Sequence, residues 1–117
     1  MQVQVNTDDN LRGGASLATW VEKEVNDTLS RFGSYLTRVE VHLGDENASK
    51  AGDQDKRCAV EARIAGQDPV SVTNKGPNVE EACRGALRKL RGLLESRIGR
   101  QQDHKGATSI RDRSDLT

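Results

Sequence analysis

Hydrophobic and polar positions along this chain alternate with two different periods, and the changes of period divide it into six elements. Val3 and Val5 alternate with Gln2, Gln4 and Asn6, the pattern of a short strand with one buried face. Gly13-Gly14 ends it. From Ala15 to Phe32 the apolar residues Leu17, Val21, Val25, Leu29 and Phe32 recur at spacings of three and four, so they form one stripe of a helix, with Trp20 on its flank, Glu22, Lys23, Asn26 and Ser30 outward, and Gly33 as its end. Leu36 to Leu43 returns to period two, placing Val39, Val41 and Leu43 on one face and Arg38, Glu40 and His42 on the other. Gly44 to Asp55 is polar and predicts a mobile hairpin loop. Lys56 to Ile64 then puts Cys58, Val60, Ala62 and Ile64 inward and Arg57, Ala59, Glu61 and Arg63 outward, and after a turn at Gly66 to Pro69, Val70 and Val72 begin a fourth strand.

Asn78 followed by Glu81 predicts a capping box, in which the side chain of the first residue caps free amides and the acid reaches back. The helix it opens has Val79, Ala82, Cys83, Ala86, Leu87, Leu90, Leu93 and Leu94 on its apolar face and Arg84, Arg88 and Arg91 together on the other. Continuing the same wheel puts Arg97 in the apolar stripe, so the helix is expected to outrun its core near there. Gly85, Gly92 and Gly99 recur on one flank, either because a neighbouring helix or an RNA backbone approaches closely or as tolerated surface glycines. The order strand, helix, three strands, helix predicts an α+β fold: a two-layer β-α-β-β-β-α sandwich with an antiparallel meander, a four-stranded sheet and both helices on one face.

A chain of 117 residues suits one domain, expected over 1–100, with a flexible polar tail over 101–117. Only 33% of its residues are hydrophobic, and no apolar run approaches the roughly 18 residues of a spanning helix. Met1 leads into Gln-Val-Gln-Val rather than a basic and apolar leader, so a cytoplasmic protein without membrane contact is expected. Cys58 and Cys83 share no metal-ligand spacing. They are expected as buried free thiols in a reducing compartment, with a disulfide as the lesser alternative, and a zinc site completed by His42 and His104 less favoured still.

Charge changes the picture more than composition does. Lys/Arg and Asp/Glu number 18 each, but residues 1–83 hold nine Lys/Arg against fourteen Asp/Glu, whereas 84–113 hold nine against three. So concentrated a basic stretch points to a polyanion such as RNA, since each neutralised phosphate releases a counterion. Catalytic chemistry has no comparable signal. His42 lies mid-strand among charged residues, His104 lies in the tail region, and Lys75-Gly76-Pro77 lacks the rest of a phosphate loop. A noncatalytic protein with no cofactor, metal or small-molecule substrate is expected.

The order of elements resembles the ribosome hibernation-promoting factor and ribosome-associated inhibitor A family, formerly called sigma-54 modulation proteins. Leu29-Ser30-Arg31-Phe32 leading into Leu36-Thr37-Arg38-Val39-Glu40-Val41-His42-Leu43 is similar to it, as are Ala82, Lys89-Leu90 and Leu94 in the second helix and His104-Lys105-Gly106 with Ala107-Thr108-Ser109-Ile110-Arg111-Asp112 after it. Val41 to Asn47 and Asp55 to Arg63 resemble a short proteobacterial branch. The resemblance implies binding to the small ribosomal subunit and its ribosomal RNA, where messenger and transfer RNA lie, under slow growth or stress. Long members carry a dimerising domain that this chain lacks the length for. Lys89 matches a basic position of the family's second helix and Lys105 its tail lysine. Gly92 stands where the family commonly has Arg, and Glu22, Glu24 and Asp27 stand where relatives are richer in lysine.

The expected RNA-binding set is therefore Arg84, Arg88, Lys89, Arg91, Arg97, Arg100 and Lys105, against the alternative of a solvated helix face. Arg38, Arg57 and Arg63 on the outer sheet face form a secondary candidate, with cross-strand ion pairs to Glu40 and Glu61 as the preferred explanation there. That face lacks base-stacking aromatics, so backbone and shape recognition is expected. The rival reading is a protein-interaction regulator of the transcription-modulating kind, docking through the sheet.

Overall fold

The computed structural model describes residues 1–8, 14–45 and 56–107, with side chains over 1–8, 15–45 and 56–98. Strand β1 (Gln2–Thr7) is followed by α1 (Gly14–Leu29), β2 (Leu36–Asp45), β3 (Lys56–Ile64), β4 (Val70–Gly76) and α2 (Val79–Ala107). The sheet order is β1-β2-β3-β4. β2, β3 and β4 are the expected antiparallel meander, while β1 lies parallel to β2 with Val3 beside Val39 and Val5 beside Val41. A parallel neighbour needs a crossover, and α1 supplies it. The predicted loop over 44–55 is shortened at its start, since β2 runs through Gly44 and Asp45; residues 46–55 lie outside the described ones.

Both helices cover one face of the sheet. Val21, Val25 and Leu29 from α1 meet Val39, Val41 and Leu43 from β2, Cys58, Val60, Ala62 and Ile64 from β3, and Ala82, Cys83, Ala86, Leu87, Leu90 and Leu94 from α2 in one buried cluster. Such burial of aliphatic side chains stabilises by about 1.5–3 kcal/mol each relative to exposure. α1 closes through a tighter 3-10 turn at Ser30–Phe32, and Gly33 keeps a right-handed conformation, so it ends the helix without the left-handed backbone that usually selects glycine there.

α2 opens as its sequence predicts, with the Glu81 amide donating to Asn78 Oδ1 at 2.8 Å. The return contact differs in detail, because the Asn78 side-chain amide donates to Glu81 Oε2 at 3.0 Å. From there α2 runs back along β4. Asn74 Nδ2 donates to the Ala82 carbonyl, and a Cβ on Gly85 would sit 2.8 Å from Asn74 Cγ, so β4 rather than a neighbouring helix requires that glycine. Gly92 faces open space.

One expectation for α2 is corrected. Leu93 is 46% exposed, because β4 is an edge strand and, among the described residues, nothing beyond it covers that flank. The buried face reaches one residue past Arg97 among the described side chains. Ile98, four residues after Leu94, is 1% exposed, while the Arg97 side chain turns to the β3–β4 turn and donates to the Asp68 carbonyl at 3.0 Å. The helical backbone continues to Ala107, beyond position 100, where the sequence suggests the polar tail begins.

Candidate nucleic-acid interface

Arg84, Arg88, Arg91 and Glu95 follow one another at spacings of four, three and four, so they form a single row along the solvent side of α2. The ends of this row are tied to the neighbouring helical segment. Arg84 Nε lies 3.2 Å from Glu24 Oε1 of α1, and its guanidinium carbon stands 5.4 Å from the centre of the Trp20 ring. At the other end, Glu95 Oε2 accepts from Arg31 at 3.0 Å, and Arg31 also lies over Phe32 at 5.0 Å. The middle of the row is different. Arg88 and Arg91 are exposed and make no hydrogen bond or ion pair among the described residues.

Lys89 and Arg97 belong to a second row, on the flank toward β4. Lys89 Nζ donates to the Thr73 carbonyl at 3.3 Å, as Arg97 does to Asp68. The sequence-predicted set is thus split into an outward pair, a latched Arg84 and two cations bound to backbone carbonyls. The side chains of Arg100 and Lys105 lie outside the described residues. Glu24, Trp20, Arg31 and Glu95 escaped sequence reasoning because their partners are some sixty residues away, as in Arg31 and Glu95 or Glu24 and Arg84, and no periodicity within one element reveals that separation.

The uncovered sheet face is organised in bands across the strands. Arg38 lies directly opposite Arg63, and Glu40 directly opposite Glu61. For Arg38 and Arg63 no cross-strand ion pair to Glu40 or Glu61 forms among the described residues, because the register sets like charges side by side; contacts run along β2 instead, Arg38 Nε to Glu40 Oε2 at 3.1 Å and His42 Nε2 to Glu40 Oε1 at 3.5 Å. The Arg38–Glu40 contact is an ion pair without hydrogen-bond alignment, and Arg38 also donates through its Nη2 to the Gln4 amide oxygen. A direct cross-strand ion pair, Lys56 to Asp45 at 3.3 Å, stands at the loop end of the β2–β3 hairpin. Arg57 takes part in interactions of its own, whereas Arg63 is exposed and has no ion-pair or hydrogen-bond partner for its side chain among the described residues. A hollow of about 250 Å³ beside His42 is lined by Ala59, Glu61, Ser71 and Thr73.

Cys58 and Cys83 are free, buried and adjacent across β3 and α2. The hydrogen bond with the Cys83 thiol, and burial after it, push the Cys58 thiol far above its ordinary range, which makes it a packing group and a poor nucleophile. Among the described residues no group of three His, Cys, Asp or Glu side chains is placed to hold a metal ion, and no helix is long and apolar enough to cross a membrane.

This geometry defines a small two-layer α+β domain with charged side chains displayed on the outer side of α2 and on the open sheet face. The family model for sigma 54 modulation protein / S30EA ribosomal protein matches residues 4–102, and the chain belongs to that family. The fold is similar to that of the Thermus thermophilus Protein Y N-terminal domain, at 21% identity and a TM-score of 0.60 over 82% of this chain and 98% of that one. It is likewise similar to a ribosomal subunit interface protein from Coxiella burnetii, at 12% identity and a TM-score of 0.66 over 85% of this chain and 99% of that one. Comparison with curated protein sequences gives no match.

Proposed function

We propose that this protein is a noncatalytic ribosome-associated hibernation factor of the cytoplasm, which docks on small-subunit ribosomal RNA near the decoding region and blocks access of messenger and transfer RNA. Family membership and the likeness to a ribosomal subunit interface protein support the ribosome as partner. The observation that carries the RNA contact is the pair Arg88 and Arg91, two exposed guanidinium groups with no internal partner among the described residues, one turn apart on the most basic element. Arginine forks match phosphate oxygens, and their charge is free to be used. Arg84, at the end of the same row, and Lys89, Arg97, Arg100 and Lys105 elsewhere along α2 are the lesser cations of this reading, while on the sheet Arg63 is better placed than Arg38 or Arg57 as a secondary contact.

Co-sedimentation of the protein with isolated small subunits across a salt series tests this reading. Near-stoichiometric binding that weakens steeply with salt is expected, and Arg88→Glu with Arg91→Glu should remove it. Undiminished binding of that double variant would overturn the helix assignment and favour docking through the sheet.

A further inference from the structure

We propose that Glu24 is a built-in competitor for RNA phosphate at Arg84, so that α1 acts as an electrostatic brake on the basic row of α2. The inference rests on the RNA reading above and adds to it a residue that limits affinity. Glu24 is the carboxylate that α1 sets against the first arginine of the row: its Oε1 lies 3.2 Å from Arg84 Nε, and its side chain is only 21% exposed. The Arg84 side chain is 54% exposed, with its guanidinium close to the Trp20 ring.

One carboxylate at this distance occupies the Nε edge of the guanidinium and cancels its charge at short range. A phosphate approaching Arg88 and Arg91 therefore meets two uncompensated arginines and a third already satisfied, with the Glu24 carboxylate beside it. Partial burial makes this pair less screened than a fully exposed one. The neighbouring acid Glu22 has no side-chain contact with Arg84, so it shares the element and the charge without sharing the bond.

The brake predicts non-additivity that a simple change of net charge does not. Binding would be measured to poly(U) and to isolated small subunits for wild type, Glu24→Gln, Glu22→Gln, Arg84→Ala and Arg84→Ala with Glu24→Gln, with Trp20 fluorescence followed in parallel. Glu24→Gln should raise affinity by about two- to fivefold and steepen the slope of log K against log salt by about 0.7 on the single strand. Glu22→Gln should leave that slope in place. Arg84→Ala should cost less than about twofold in the wild-type background and about two- to fivefold once Glu24 is neutral. Trp20, the single tryptophan of the chain, should change emission on RNA binding, and Arg84→Ala should abolish that change. Equal losses for Arg84→Ala in both backgrounds, or equal gains for the Glu22 and Glu24 variants, would overturn the brake alone. Wild-type protein that binds neither probe at low salt would overturn the RNA reading and the brake together.

Discussion

Lys89 Nζ on α2 donates to the backbone carbonyl of Thr73 on β4 across 3.3 Å. Because β4 is the last strand of the sheet, its outer side has no ladder partner among the described residues, and a lysine laid over it discourages pairing with another chain. Lys89 therefore serves the sheet edge at the same time as it adds positive charge to α2. Arg88, its neighbour, is turned outward with no such duty.

The difference between these neighbours predicts unequal effects on binding. Arg88→Ala and Arg91→Ala should each reduce the magnitude of the salt slope for small-subunit binding by close to one unit, about 0.7–0.9 for each phosphate left without its arginine. Lys89→Ala should change that slope by less than half as much. Filter binding or co-sedimentation between about 50 and 200 mM salt reads the difference, and equal slopes for all three variants would contradict the division into two rows.

The glycines of α2 should respond in opposite directions to alanine. Gly92 faces open space, so Gly92→Ala should stabilise by about 0.5–1 kcal/mol through reduced backbone freedom. At Gly85 the added methyl displaces Asn74 from its bond to the Ala82 carbonyl, and a loss of about 1–3 kcal/mol is expected. Urea denaturation separates the two, and Asn74→Ala should relieve part of the Gly85→Ala penalty.

Removing the cap at the start of α2 tests the link between local sequence and helix. Asn78→Ala deletes the acceptor for the Glu81 amide and should cost about 1 kcal/mol, with Asn78→Asp close to neutral. A thermal melt with both variants suffices. No destabilisation by alanine would mean that α2 is held by its packing on β3 and β4 alone.

The thiols predict an alkaline limit to stability. Cys58 titrates higher in the folded protein than in the unfolded chain, so folding keeps its proton, and the stability this thiol contributes should be full below about pH 8.5 and fall as pH rises above it. The limiting slope from this one thiol is about 1.4 kcal/mol per pH unit. Denaturation between about pH 7.5 and 9.5 should show the decline in the wild type and a weaker one in Cys58→Ala. Alkylation of both cysteines in the native protein should be slow, and rapid modification of the folded protein would contradict the burial of the pair.

Strand alternation at 36–43 and 56–64, the apolar stripe of α1 and the cap at Asn78 were legible because each depends on residues close together in the chain. What was not legible depends on register and on edges. Leu93 and Leu94 are alike as residues, but Leu94 points into the core cluster while Leu93 lies on the flank where β4 has no outer neighbour among the described residues. Arg38 and Glu61 read as complementary until the register sets each beside its own charge type. Within the basic helix, spacing alone grouped Arg84 with Arg88 and Arg91. It could not reveal that Glu24, sixty residues earlier, had already claimed one of the three.

The parallel pairing of β1 with β2 also has a consequence for how the chain is made. Val3 sits beside Val39, so the first strand must wait for some thirty-six further residues before a partner exists, whereas β2, β3 and β4 each meet their neighbour soon after emerging. α1 can form meanwhile, but its apolar stripe stays uncovered until the sheet arrives beneath it. α2 comes after every strand, and its outward arginines are oriented only when its inner face has a sheet to rest on. During vectorial synthesis the basic row of α2 is thus assembled last, and a chain interrupted before α2 would lack it altogether.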